Sequence, residues 1–165
     1  MSRSVTKPGN KSKKGQKALP PAGDICFYFR VLHENYTDCL KVYLRKHGLK
    51  SVQPGFGFVL FQLFEHGTLR PSDICRDMGV KPPTLTAITD QMVKAKLIKR
   101  RADENDRRAT LLSLSRKGES LRDECFHLVA ELTETICQGI SKKNLGIAMK
   151  AMRQMMVNMS SAELS

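Results

Sequence analysis

The chain has 165 residues, with 28 Lys and Arg against 16 Asp and Glu, a formal charge of +12. A composition of 41% hydrophobic and 27% charged residues excludes a wholly disordered chain, and the length suits one domain with or without a tail. The longest apolar-rich stretch, Phe56 to Phe64, falls far short of the roughly 18 residues a membrane span needs, and the basic start meets Pro20-Pro21 instead of an apolar signal segment, so no membrane partner is expected.

The charge is concentrated. Residues 1–19 hold Arg3, Lys7, Lys11, Lys13, Lys14 and Lys17 with no acid, and residues 70–117 hold twelve basic and six acidic side chains. Segments 20–69 and 118–165 nearly balance, at +1 and −1. Charge focused in two places points to a polyanion, nucleic acid first and an acidic membrane surface as its rival. Five cysteines are an odd number, with no C-x-x-C and no Cys-His ligand pair. That argues against a disulfide framework or a zinc site and for a reducing cytoplasm. No metal or cofactor is expected.

Residues 1–23, rich in Lys, Ser, Gly and Pro, read as a basic disordered arm. It is either a solvated tail or an arm that tracks phosphates. Asp24 is placed to cap a first helix. Ile25, Phe29, Leu32, Tyr36, Cys39 and Tyr43 recur at steps of 4 and 3 along it, one face of a helix that ends near His47-Gly48. A second helix runs from Gln53 or Pro54 to Gly67, apolar on most sides and therefore central. Leu69-Arg70-Pro71 opens a short third helix with Ile74 and Met78 inward, closed by Gly79. Pro82-Pro83 opens a fourth, with Leu85, Ile88, Met92 and Val93 as its apolar positions. Two short helices around a Gly-containing turn have helix-turn-helix spacing.

An extended run from Leu97-Ile98 through Lys99-Arg100-Arg101 follows, then a charged loop, Ala102 to Arg108, then a returning strand over Thr110 to Leu114 with Leu112 and Leu114 on one face. A β-hairpin directly after a helix-turn-helix is a winged helix, whose helix reads the major groove while the basic hairpin tip enters a minor groove. Ser115 is the expected N-cap of a long helix reaching Gly139, with Leu121, Cys125, Leu128, Leu132 and Ile136 inward. Ser141 caps a last helix whose stripe is Leu145, Met149, Met152, Met156 and Met159. That thioether-rich seam reads as a dimer contact, with an intramolecular core as the alternative.

The block from Leu60 to Leu121 resembles the MarR family of bacterial transcription regulators. The resemblance rests on Leu63-x-x-x-Gly67, Pro71-Ser72-Asp73-Ile74, Met78-Gly79-Val80 and Thr84-Leu85-Thr86-Ala87-Ile88-Thr89. It continues through Leu97-Ile98-x-Arg100, Asp103-x-x-Asp106-Arg107-Arg108-Ala109 and Leu114-Ser115-x-x-Gly118. It implies a mainly α fold with a small β-hairpin wing: a winged helix-turn-helix core (53–114) flanked by N- and C-terminal dimerisation helices (24–50 and 115–159), after the arm at 1–23 and before a tail at 160–165. It also implies a homodimer on a palindromic operator. By position, Lys81, Thr84, Thr86 and Thr89 are the exposed recognition-helix residues. Arg101, Asp106, Arg107 and Arg108 belong to the wing, with Asp106 orienting an Arg rather than meeting phosphate. Arg70, Arg76 and Lys99, together with Arg101, are phosphate candidates.

The chain departs from the family pattern at Arg70 and Lys81, where capping Ser, Thr or Asp is usual, and at Lys96, where Gly is usual. Each lost cap forfeits ~1 kcal/mol, and Lys in a left-handed position costs about 1 kcal/mol relative to Gly. Ile25-Cys26-Phe27 resembles the reactive-cysteine region of the family's peroxide-sensing OhrR branch, although Tyr28, Tyr36 and Tyr43 do not match that branch's tyrosine positions. Cys26 is therefore a redox candidate, and Asp24 nearby opposes its ionisation.

The expected function is a dimeric, sequence-specific regulator of double-stranded DNA, a repressor in the bacterial cytoplasm at the nucleoid, answering to a small-molecule effector or an oxidant. The alternatives are a cysteine-based redox-sensing repressor of the same fold and a winged-helix module that binds protein or RNA. No Gly-rich phosphate loop, nucleophile elbow or H-E-x-x-H is present, and His33, His47, His66 and His127 lie singly, so an enzyme is not expected.

Overall fold

The computed structural model describes residues 24–103 and 109–162. The expected arm at 1–23 and the wing-tip residues Asp106, Arg107 and Arg108 lie outside the described residues.

Helix α1 spans Asp24–Lys46, with Asp24 in its first turn and Arg45 and Lys46 in its last, the arrangement the helix macrodipole favours. Asp24 lies within the described helix, and the residues before it lie outside the described residues. The chain divides into two units between Thr37 and Asp38, inside this helix. Within residues 24–37, Phe29, Leu32 and Tyr36 of the expected stripe are exposed, and Arg30 pairs with Glu34 one turn on. Within residues 38–46 the buried pair is Leu40 and Leu44, one position on from Cys39 and Tyr43. Those two are only partly buried, and the Tyr43 hydroxyl meets Thr135 Oγ1 at 2.5 Å.

The second unit carries the rest of the fold. A 3-10 turn, Pro54–Phe56, leads into α2, Gly57–His66, whose Val59, Leu60, Leu63 and Phe64 are buried. This is the central helix its composition predicts. Strand β1 is Thr68–Leu69, α3 is Pro71–Met78 and α4 is Pro82–Lys94. Strands β2, Ile98–Ala102, and β3, Thr110–Leu114, form the hairpin. The sheet has three antiparallel strands in the order β1-β3-β2. β1 is an addition to the expected hairpin: a two-residue strand has no room for a period-2 pattern, and it exists only through pairing with Leu112 and Ser113.

The long helix expected after Ser115 is two helices. Helix α5, Arg116–Glu119, ends at Ser120, and α6 spans Arg122–Cys137. Between them Leu121 N bonds Gly118 O, a tight closure of the 3-10 type. Cys125, Leu128 and Leu132 of α6 are buried as expected, while Ile136 is exposed. Helix α7, Lys142–Ala162, is capped by Ser141 Oγ on Asn144 N at 3.2 Å and runs past Met159 into the expected tail.

The C-terminal part of α1 is tied to α6 by polar contacts. Lys46 pairs with Glu131, and His47 Nδ1 lies 2.5 Å from Glu124. The hydrogen bond with Glu131 raises the Lys46 pKa, and that with Lys46 lowers Glu131.

Candidate nucleic-acid interface

The interface is built on the α3–α4 pair. Proline opens each helix, where the missing N–H costs nothing because first-turn donors have no partner within the helix. Gly79 ends α3 with φ +64, a left-handed turn that suits glycine. Val80 N then bonds Cys75 O, closing the turn. Neither Arg70 nor Lys81 makes a side-chain cap. Arg70 instead reaches Asp103 Oδ2 at 2.6 Å, bringing the start of α3 to the base of the wing. Arg70 is therefore engaged by a carboxylate, as is Arg76, which lies 3.2 Å from Asp73 and 3.3 Å from Asp77.

Helix α4 buries Leu85, Thr89 and Met92 and leaves Lys81, Thr84 and Thr86 exposed. Thr86 Oγ1 donates to Pro82 O at 2.9 Å, leaving its oxygen lone pairs and methyl outward. Thr89 corrects the expectation: it is 2% exposed and does not present its side chain to solvent. Its spacing of four from Leu85 and three from Met92 puts it on the core face, where its hydroxyl donates to Thr86 O and accepts from Arg100 Nη2 at 2.8 Å. Gln91 is exposed on the same helix and is an addition to the expected readers. Its amide is of the type that pairs adenine edges.

The wing rises beside this helix. Lys99, Arg100 and Arg101 are exposed on β2. Arg101 reaches Thr68 Oγ1 at 3.2 Å, and Arg100 also pairs with Asp90 of α4 at 2.7 Å. No sequence signal marks these two long-range partners of Arg100. At the end of α4, Lys96 adopts φ +59, so the residue standing where the family usually has Gly is left-handed. Ser115 Oγ donates to Lys96 O at 2.6 Å, and Lys117 Nζ to Ala95 O at 2.9 Å. Two side chains from the start of α5 thus satisfy carbonyls at the C-terminal end of α4, where a cation is favoured. Ser115 Oγ also accepts from Gly118 N at 3.0 Å, which makes it the expected N-cap.

Outside this surface, Met149, Met152, Met156 and Met159 of α7 are exposed, and Leu145 is partly buried. Cys26 is exposed, and so are Tyr28 and Tyr36. Burial pushes the Cys125 thiol up to about 11, with Glu124 adding to the shift. Among the described residues no helix is long and apolar enough to cross a membrane, and no group of His, Cys, Asp or Glu is placed to hold a metal.

Residues 57–110, from the start of α2 to the start of β3, match the MarR family model. This segment is therefore similar to the MarR family. The MarR match thus covers the helix-turn-helix, β2 and the first residue of β3. The transcriptional repressor MdtR of Bacillus subtilis is 39% identical over 70 residues, 42% of this chain and 45% of that protein. The chain spans less than half the length of the first curated relatives it matches, and those relatives are named as transcription regulators. Among solved structures, a mutant MarR from E. coli complexed with operator DNA aligns with a TM-score of 0.69 at 18% identity, over 83% of this chain and 99% of that one. Bordetella bronchiseptica BpsR, in a structure described as a mechanism for regulation of its DNA binding by 6-hydroxynicotinic acid, aligns with a TM-score of 0.73 at 16% identity, over 84% and 97%. These likenesses establish the winged-helix fold.

Proposed function

We propose that the protein is a sequence-specific transcription regulator of double-stranded DNA, a repressor that binds a palindromic operator as a homodimer. The observation that carries this reading is the exposed edge of α4, with Lys81, Thr84, Thr86 and Gln91, beside the cationic β2 of the wing inside the MarR-like segment. Hydroxyl and amide groups on a helix that fits the major groove supply base contacts. Lys99 and Arg101 supply phosphate contacts, which position the protein without encoding sequence. Arg107 and Arg108 are assigned to the minor groove, and Asp106 to orienting them. Arg70 and Arg76 are weaker phosphate ligands than their charge suggests, because each already meets carboxylate.

Leu145, Met149, Met152, Met156 and Met159 of α7 form the self-contact, since an exposed apolar strip of this length marks an interaction site. The protein works as a non-enzymatic binder in the bacterial cytoplasm, at the nucleoid. Its DNA affinity answers to a small-molecule effector, as the described regulation of BpsR is by 6-hydroxynicotinic acid, or to oxidation at the reachable Cys26. Selection of genomic fragments by the purified protein tests the reading. Enrichment of fragments sharing an inverted repeat supports it, with half-sites about one helical turn apart. Enrichment of no shared sequence contradicts it.

A further inference from the structure

We propose that Arg100 is a positioning residue for DNA recognition, which with Thr89 and Asp90 braces the wing against the recognition helix and so fixes the angle between the two DNA-contacting elements. The inference rests on the DNA-binding reading above and adds a role for three residues that it leaves without one.

Asp90 is the starting point. It is an acid, about half exposed, on the helix assigned to a polyanion, and it lowers the attraction of α4 for phosphate unless it is engaged otherwise. Its Oδ1 lies 2.7 Å from Arg100 Nη2, and that same nitrogen donates to Thr89 Oγ1 at 2.8 Å. Thr89 passes the connection on by donating to the Thr86 carbonyl at 3.1 Å. One guanidinium on β2 is therefore linked to the turn of α4 that carries the exposed Thr84 and Thr86.

The register of the sheet separates Arg100 from its cationic neighbours. Arg100 lies opposite Leu112, and Ile98 opposite Leu114, so Arg100 shares a face with buried residues packed toward the helices. Lys99 and Arg101 alternate to the other face. The shared Nη2 already serves two acceptors, which makes Arg100 a poor phosphate ligand despite its charge. The two hydrogens of the planar Nη2 are held at fixed directions toward the two acceptors, an orientation that the freely rotating ammonium of a lysine does not preset. The wing and α4 must meet their respective grooves together, so tilting one against the other weakens the fit in both.

The test measures affinity for a duplex obtained by the genomic selection, across a salt series, for wild type, Asp90→Ala, Thr89→Val, Arg100→Lys, Arg100→Ala and the Asp90→Ala/Arg100→Ala double variant. Asp90→Ala is expected to weaken binding about tenfold although it removes a negative charge. Arg100→Lys, with the charge unchanged, is expected to weaken it to a similar degree. The double variant should bind no worse than Arg100→Ala, the signature of residues acting as a unit. The slope of log affinity against log salt should stay within about half a unit of wild type, whereas removing a phosphate ligand flattens it by ~0.9. Circular-dichroism melts establish which variants are folded at the assay temperature. Thr89→Val, which preserves side-chain volume, carries the test alongside Arg100→Lys if Asp90→Ala melts early, and is expected to lose affinity several-fold. Unchanged or tighter binding by Asp90→Ala overturns the brace. So does full affinity of Arg100→Lys combined with a slope flattened by about one unit in Arg100→Ala, which makes Arg100 a phosphate ligand. A wild type without duplex affinity overturns the DNA reading itself, and the brace with it.

Discussion

A Cβ added to Gly118 would stand 2.1 Å from the carbonyl oxygen of Leu97. Leu97 links α4 to β2, and Gly118 lies in α5, so this contact seats the start of α5 against the end of α4. Ser115 N bonds that same Leu97 oxygen at 2.9 Å, which holds it in place. Gly118→Ala should therefore lose ~3 kcal/mol, the upper range of overpacking costs, although alanine is the better helix former by about 1 kcal/mol. Gly57→Ala is the control. Gly57 has helical dihedrals and open space around the added Cβ, and should gain several tenths to about 1 kcal/mol. Urea denaturation of the two variants reads both signs. Equal small effects would show that the Gly118 contact relaxes freely.

Much of this core was legible because proline and glycine punctuate it. Pro71, Gly79 and Pro82 mark the ends of α3 and α4, and Ser115 marks the start of α5. The departures have physical causes. Thr89 carries a hydroxyl that residue type assigns to DNA, but helical spacing assigns it to the face of Leu85 and Met92, and spacing wins because Arg100 satisfies the buried oxygen. The pairs Arg70–Asp103 and Arg100–Asp90 join residues on separate elements, and no local pattern encodes which cation meets which acid. The strand Thr68–Leu69 is defined by its partner β3 rather than by its own sequence. The break between α5 and α6 falls at Ser120 and Leu121, where the apolar period only begins, so no periodic signal marks it.

The thiols should separate by environment. With its pKa pushed up to about 11, buried Cys125 holds on the order of one thiolate per thousand at pH 8. Its thiolate fraction grows only as pH rises toward 11. Iodoacetamide at pH 8 should modify exposed Cys26 and leave Cys125 unmodified until the protein is denatured, as peptide mass mapping will show. If Cys26 is the oxidant sensor, wild type should release DNA under peroxide while Cys26→Ser stays bound. Identical responses would make the thiol inert and leave a small molecule as the effector.

The α7 seam predicts a dimer. Light scattering at micromolar concentration should give about twice the 18.6 kDa chain mass, and Met152→Asp with Met156→Asp should shift the protein toward monomer, since each buried charge lacks a partner. A monomeric wild type would remove the two-fold basis of operator recognition.

The N-terminal arm should add affinity without specificity. Its six cations between Arg3 and Lys17 are accompanied by no acid. Deleting residues 2–18 should flatten the salt slope by ~0.9 for each phosphate the arm no longer neutralises, while the preference for the selected duplex over a scrambled one stays constant. An unchanged slope would assign the arm no DNA contact.

The most direct measurement of the central claim is the stoichiometry and selectivity of the complex with one selected duplex, by native mass spectrometry with a scrambled duplex of equal length as competitor. The account predicts two chains per duplex and a preference for the selected sequence of at least about a thousandfold at physiological salt. One chain per duplex, or equal binding to the scrambled sequence, would contradict it.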